Sequence, residues 1–188
     1  MLLRHRAAGI THSPANTTQG FQHLDDGWVA VVRWLQANRV ECVLVGAMGE
    51  AIRGNVHAKG PVAIALAPYR RNFERLSRAL WAAHARLRID AGGPGASDTV
   101  PVKMTADKLA RGQRWTFRCG EYDVDVEGRP EGAPSYQELL YESGRFEIAS
   151  ELSVDVASTE DIERYAHMQK TGVAPEITIT RNAHVENA

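Results

Sequence analysis

The stretch VECVLVGAMGEAIRGNVHAKGPVAIAL, residues 40–66, contains the pattern that decides the fold. It begins with an apolar run that ends at Gly46, which predicts a buried strand. AMGEAIRG, residues 47–54, predicts a short helix that ends at Gly54, because glycine readily adopts the left-handed conformation that closes a helix. A polar link then leads to a second apolar strand, VAIAL. This order of strand, glycine turn, short helix and strand indicates a sheet with helices packed on it.

Helices are predicted on both sides of this stretch. Before it, Asp25 or Asp26 can cap a helix whose apolar residues recur at helical spacing: Trp28, Val31, Val32 and Leu35. After it, one long amphipathic helix is predicted, with an apolar face formed by Phe73, Leu76, Leu80, Ala83 and Leu87. DAGGPGASDTVP, residues 90–101, then predicts a loop, because it is rich in glycine and proline.

The second half of the chain predicts further strands and two capped helices. RWTFRCGEYDVDVEG, residues 114–128, is typical of a β-hairpin that turns around Cys119 and Gly120. RFEIASELSVDVAS, residues 145–158, predicts one or two more strands. Helix caps are indicated by two pairs, Ser135 with Glu138 and Ser158 with Asp161. The whole pattern predicts the α/β (α+β) class, with a mixed β-sheet flanked by helices.

The length and composition indicate one folded domain. The chain has 188 residues, of which 44% are hydrophobic and 24% charged, enough apolar material for one core. We predict an N-terminal leader or arm over residues 1–22, a single domain over 23–170 and a polar tail over 171–188.

Charge and hydropathy exclude several classes of partner. The net charge is −1 and the isoelectric point is near 6.7, so there is no strong electrostatic case for bulk binding to nucleic acid or acidic membranes. No apolar run approaches the roughly 18 residues that a membrane span needs. The first 20 residues have no apolar segment typical of a secretion signal. Cys42 and Cys119 lack the spacing of a metal or redox motif, and we expect reduced thiols in a cytoplasmic protein.

Several quoted segments, in this order, resemble the nucleotidyltransferase fold of the DNA polymerase β-like superfamily. The chain is most similar to small bacterial nucleotidyltransferase-like proteins that carry a pattern of the form GGxAxxLHG…RxTxDxD. The resemblance continues through LWAAHARLR, the hairpin, GRPEGAPSYQELL and VASTEDIERY, and covers roughly residues 28–170. It implies a nucleotidyltransferase-like fold.

The resemblance also implies where the catalytic groups of active members would lie. In those members, two acids on a strand and a third carboxylate from a neighbouring strand hold two Mg²⁺ ions, which position the triphosphate and stabilise the transferring phosphoryl group. The first two acid positions fall on Pro61 and Ala63, which cannot bind a metal. The third falls on Asp125 or Asp123; spacing to Gly132 favours the former and spacing to Gly120 the latter. A strand whose polar face is open to water is the alternative interpretation of these acids.

Other positions of the family pattern are also altered. A phosphate-binding turn would be formed by Gly46 and Ala47, with His57 and Lys59 at the basic and hydroxyl positions of the link. In the last helix, Ala166 occupies the position of a family lysine. No metal-binding residues are predicted, and no cofactor is expected unless the protein is an active enzyme, which would need Mg²⁺.

Three functions follow as hypotheses. The first is a nucleotidyltransferase-like pseudoenzyme that binds a nucleotide, a nucleic acid or a protein as a regulatory module. Relatives of this fold occur in bacterial toxin–antitoxin pairs, which makes a protein partner plausible by analogy. The second is an active nucleotidyltransferase that transfers NMP from an NTP to a hydroxyl acceptor through Asp123 or Asp125. The third is an oligomerisation scaffold with a dead site.

Overall fold

The computed structural model describes residues 7–11, 15–90 and 97–171. Within these ranges the helices are α1 (Asp26–Ala37), α2 (Ala47–Ile52), α3 (Arg70–Ala82), α4 (Ala106–Ala110), α5 (Tyr136–Glu142) and α6 (Thr159–Thr171). The strands are β1 (Cys42–Leu44), β2 (Val62–Leu66), β3 (Arg86–Asp90), β4 (Ser97–Pro101), β5 (Trp115–Cys119), β6 (Tyr122–Val126), β7 (Gly144–Ala149) and β8 (Leu152–Val156).

The eight strands form one mixed sheet in the order β4-β3-β5-β6-β2-β1-β8-β7. β2 runs parallel to β6, and β1 runs parallel to β8, whereas the other neighbouring pairs are antiparallel. The predicted class, a mixed sheet flanked by helices, is confirmed. β1, β2 and β6 lie together in this sheet, and β2 and β6 are hydrogen-bonded neighbours.

The sheet is buried at its centre. All five residues of β2 are buried, as expected for a strand that has neighbours on both sides and helices above it. α1 contributes Val29, Val31 and Trp34 to the core, and α3 contributes Leu76 and Ala79. The β2–β6 pair therefore lies inside the molecule, with its side chains fixed by packing.

The predicted helix caps at Asp25, Ser135 and Ser158 are confirmed. The Asp25 carboxylate accepts a hydrogen bond from the Gly27 amide. Ser135 and Glu138 form a reciprocal capping box at the start of α5. The Ser158 hydroxyl accepts from the Asp161 amide at the start of α6.

The prediction of one long helix through Leu87 was wrong. α3 ends at Ala82, and residues 86–90 form β3, which pairs with β4 and β5. His84 has a φ of 50°, a left-handed conformation that stops the helix. The predicted loop over residues 90–101 was wrong at both ends, because Asp90 belongs to β3 and residues 97–101 form β4. Residues 91–96 lie outside the described residues.

Part of the N-terminal arm contacts the domain. Thr17 forms an isolated antiparallel bridge with Ala149, and the Ala8 amide donates to the Asn38 side chain. The tail beyond Thr171 lies outside the described residues. Among the described helices, none combines the length and the apolar character that crossing a bilayer requires.

Candidate functional site

Ala63 and Asp125 lie side by side at the centre of the sheet. They are register partners on the parallel strands β2 and β6, and register partners project to the same face. Asp123, two residues earlier on β6, projects to that face as well. Pro61 precedes β2 and lies outside the strand. By the family resemblance, Ala63 occupies the position of the second acid, and Asp125 is a candidate for the third. The two residues are therefore adjacent in the sheet.

Gly46 packs closely against the Ala63 side chain. It precedes α2 with a φ of 73°, and a Cβ atom at this position would lie 2.9 Å from the Ala63 Cβ. The Val45 amide also donates to the Ala63 carbonyl, with an N–O distance of 3.0 Å. Both the backbone conformation and the close approach therefore require glycine at position 46.

The link between α2 and β2 returns to the start of α2. A Cβ atom at Gly60 would lie 3.2 Å from the Ala47 Cβ, and the Trp28 indole donates to the Gly60 carbonyl at 2.9 Å. His57 and Lys59 are exposed on this link. The proposed phosphate-binding role of Gly46, Ala47, His57 and Lys59 remains a prediction.

The acids of β6 are covered by arginine side chains. The Asp125 side chain is 5% exposed, and its Oδ2 atom lies 2.6 Å from Nη2 of Arg114. The same guanidinium reaches Oε2 of Glu127 at 3.4 Å, and Gln169 of α6 donates to the other Glu127 oxygen at 2.7 Å. The interpretation of β6 as a strand with its polar face in water was therefore wrong.

Asp123 forms a second ion-pair cluster on the same face. Arg118 of β5 contacts Oδ1 of Asp123, and Arg88 of β3 contacts Oδ2, each at 2.5 Å. The carboxylate thus connects three neighbouring strands through two guanidinium groups. Its two oxygens are engaged by cations of the protein itself.

The Arg114 cluster contains more negative charge than positive charge. Asp125 and Glu127 are both buried, and among the described residues they share one ion-pair partner, Arg114. Burial raises the pKa of the Glu127 carboxyl above its usual value of 4.5, and the Asp125 charge raises it further, although Arg114 and Gln169 oppose the shift. Oδ1 of Asp125 is buried and has no hydrogen-bond partner among the described residues.

This donor set does not fit the two-Mg²⁺ site of active nucleotidyltransferases. Pro61 and Ala63 provide no side-chain ligand atoms, and Mg²⁺ requires oxygen ligands in a nearly octahedral arrangement. Asp125 directs one oxygen to Arg114, which already supplies a positive charge. Across residues 7–11, 15–90 and 97–171, no group of three or more histidine, cysteine or acidic side chains could hold a metal.

A cavity of about 800 Å³ lies elsewhere, between α1, α5 and the β1 and β8 strands. These two strands share one register pair, Leu44 with Val156.

Cys42 lines the cavity, and burial raises the pKa of its thiol to about 12. The Cys119 thiol is raised to about 12 by the same cause. Both cysteines are free, so the expectation of reduced thiols agrees with the structure, and neither is a ready nucleophile at neutral pH.

Sequence reasoning missed Arg114 and its role. Arg114, just before β5, and Thr116 and Arg118, within β5, occupy alternate positions along the chain. Acidic residues alternate in the same way on β6. Register pairs place Thr116 opposite Asp125 and Arg118 opposite Asp123. Counting outward from the turn at Gly120 would have placed the basic side chains across from the acidic ones.

Comparison with protein-family models and with curated proteins finds no match for this chain.

Proposed function

We propose that this chain is a nucleotidyltransferase-like protein that no longer performs metal-dependent transfer and acts as a binding or regulatory module. One observation carries the proposal: the Asp125 carboxylate, adjacent to Ala63, is buried and bound by Arg114 at 2.6 Å. This carboxylate, one of the two candidates for the third acid, is thereby neutralised by a side chain of the protein. The ligand of the module is a nucleotide, a nucleic acid or a protein partner.

The physical argument concerns charge and coordination. Phosphoryl-group transfer in this superfamily depends on metal ions that neutralise charge in the transition state. A guanidinium supplies a positive charge to a carboxylate, but it has no open coordination position for a triphosphate oxygen. With no oxygen ligand at positions 61 and 63, the two acids that active members use beside the third carboxylate are missing, so the ligand set for Mg²⁺ is incomplete.

The proposal is tested by nucleotide binding in the presence and absence of divalent cations. Isothermal titration with ATP, CTP, GTP and UTP should give affinities that agree within about twofold in Mg²⁺ and in EDTA, or no binding in either. Asp125→Asn should leave this indifference unchanged, as should the control Asp155→Asn. An affinity that rises tenfold or more in Mg²⁺, and loses that gain in Asp125→Asn alone, would contradict the proposal.

A gain-of-function variant tests the same idea from the opposite direction. Pro61→Asp with Ala63→Asp restores carboxylates at both altered positions. Position 63 projects to the same face as Asp125, so we expect nucleotide binding to become stronger in Mg²⁺ than in EDTA. The uncharged control, Pro61→Asn with Ala63→Asn, should show no such dependence. Equal metal dependence in both variants would show that the added charges do not form a site.

A further inference from the structure

The most exposed tryptophan of the described chain lies at the end of α3. Trp81 is 71% exposed, whereas tryptophan is usually buried for most of its surface. Trp81 and Lys103 together separate two grooves, of about 640 Å³ and 410 Å³. One groove is also lined by Arg78 and Met104, and the other by Arg86 and Pro101.

Three basic side chains line the grooves on either side of the indole. Within the described residues, Arg78, Arg86 and Lys103 form no ion pair with a carboxylate. The Arg86 guanidinium donates to the hydroxyl and the carbonyl of Thr99, both neutral groups. Glu74, an acid that lines the larger groove, is paired with Arg70 at 3.0 Å.

Basic side chains continue from this surface onto the sheet. Arg86 is the register partner of Arg118 on β5, so both project to the same face. Arg88 projects to this face as well, and both Arg88 and Arg118 contact Asp123. Arg86 therefore lines one groove together with Trp81 and shares a face of the sheet with Arg88 and Arg118.

We infer that the surface formed by Arg78, Trp81, Arg86 and Lys103 binds single-stranded nucleic acid. An exposed aromatic ring offers a stacking platform for a base, and the cations on either side are placed to contact backbone phosphates. A protein interface centred on an aromatic anchor is depleted in charge at its core, whereas this anchor is flanked by cations that form no ion pair with any carboxylate in the described part of the chain. The net charge of −1 excludes bulk attraction but not a local site. The surface includes none of Gly46, Ala63 and Asp125, so it stands apart from the proposed loss of catalysis.

The inference is tested with fluorescently labelled 12-nucleotide oligo(dT) and oligo(U), titrated with the full chain in fluorescence anisotropy at several salt concentrations. Trp81→Ala should weaken binding by about 5- to 150-fold, since stacking on an aromatic residue contributes that much per base. Trp81→Phe should retain most of the affinity. Arg78→Glu with Lys103→Glu should weaken binding and reduce the slope of log K against log salt by about 1.4, roughly 0.7 for each lost phosphate contact.

Two control variants separate this site from general surface effects. Tyr141→Ala removes another exposed aromatic side chain, 86% exposed on α5, and Arg145→Glu reverses a cation outside the surface. Neither should change the affinity by more than twofold. Absence of oligonucleotide binding at 50 mM salt, or equal losses in Trp81→Ala and Tyr141→Ala, would overturn the inference. So would light scattering that shows a dimer in the wild type and a monomer in Trp81→Ala without nucleic-acid binding, since the surface would then be a protein interface.

Discussion

Asp125 and Arg114 illustrate how a buried acid is accommodated at the centre of this sheet. A carboxylate this deeply buried needs a nearby cation, because an isolated buried charge is strongly unfavourable. Arg114 supplies that cation from the neighbouring chain segment and also reaches Glu127. The resemblance to the nucleotidyltransferase fold implied that Asp125 or Asp123 would lie near Ala63, and β2 and β6 pair so that Asp125 is the register partner. The sequence did not predict the ion pair, since that depends on the geometry of a long side chain.

The first prediction concerns removal of this cation. Arg114→Met leaves two buried carboxylates without their counter-charge and should lower the free energy of unfolding by roughly 2–4 kcal/mol. This lies near the lower end of the range for broken buried pairs, because Arg114 is itself 43% exposed. Urea unfolding at neutral pH measures the loss.

Matched variants define the outcome. Arg114→Met with Asp125→Asn should lose less than the sum of the two single variants, by more than about 1 kcal/mol, because the pair is coupled. Arg145→Met, which breaks the more exposed pair with Asp155, should cost less than about 1 kcal/mol. Additive losses in the double variant would show that Arg114 and Asp125 do not depend on each other.

The second prediction uses Glu127, whose pKa is raised in the folded protein mainly by burial. Between the unfolded value of about 4.5 and the raised folded value, the folded state binds more protons than the unfolded state. Stability therefore falls as the pH rises through this window. Glu127→Gln should remove that part of the decline, because glutamine keeps the shape without the titrating proton.

The measurement is the free energy of unfolding of the wild type and of Glu127→Gln across pH 4 to 8. The difference between the two curves should change within the window and become constant above it. Glu160→Gln changes an exposed acid and serves as the control, with no such step. A constant difference throughout would mean that Glu127 titrates normally in the folded protein.

At the scale of the elements, three helices end in the same way. In α1, α2 and α3, the amide two residues beyond the cap residue donates to a carbonyl in the last turn: Val40 to Leu35, Asn55 to Glu50, and Ala85 to Leu80. The residue in between is left-handed in each case: Arg39, Gly54 and His84. These are Schellman ends. Sequence reasoning found the one that contains glycine and missed the end of α3, because histidine gives no comparable signal and the apolar spacing continued to Leu87.

The third prediction is that His84→Gly stabilises the protein. A glycine adopts the left-handed conformation without the steric cost that histidine bears, so the free energy of unfolding should rise by about 0.5–1 kcal/mol. His84→Ala, which keeps the Cβ atom, should give no such gain. Gly54→Ala should lose about 1 kcal/mol, since no neighbouring atom lies within 4 Å of the added Cβ and only the backbone strain acts. Thermal or urea unfolding of the three variants checks the order, and a destabilised His84→Gly would contradict it.

At the scale of the whole molecule, the sequence predicted six strands of the sheet and missed the two strands at one edge. β1, β2, β5, β6, β7 and β8 correspond to predicted segments, because their apolar alternation and turn residues are clear in the sequence. β3 and β4 were hidden, one within a helical apolar pattern and the other within a glycine- and proline-rich segment. Their pairing with β5 extends the sheet and forms the side of the molecule to which Arg86 and Trp81 belong.

The central claim, that this architecture no longer supports metal-dependent transfer, is tested most directly by a transfer assay. The full chain is incubated with ATP, CTP, GTP or UTP labelled at the α-phosphate, in Mg²⁺ or Mn²⁺, with RNA and with the protein itself as acceptors. Loss of the metal ions removes several kcal/mol of transition-state stabilisation, so we predict no labelled product above that of Asp125→Asn. Labelled RNA or protein that is formed by the wild type and abolished by Asp125→Asn or Asp123→Asn would contradict the claim and establish an active nucleotidyltransferase.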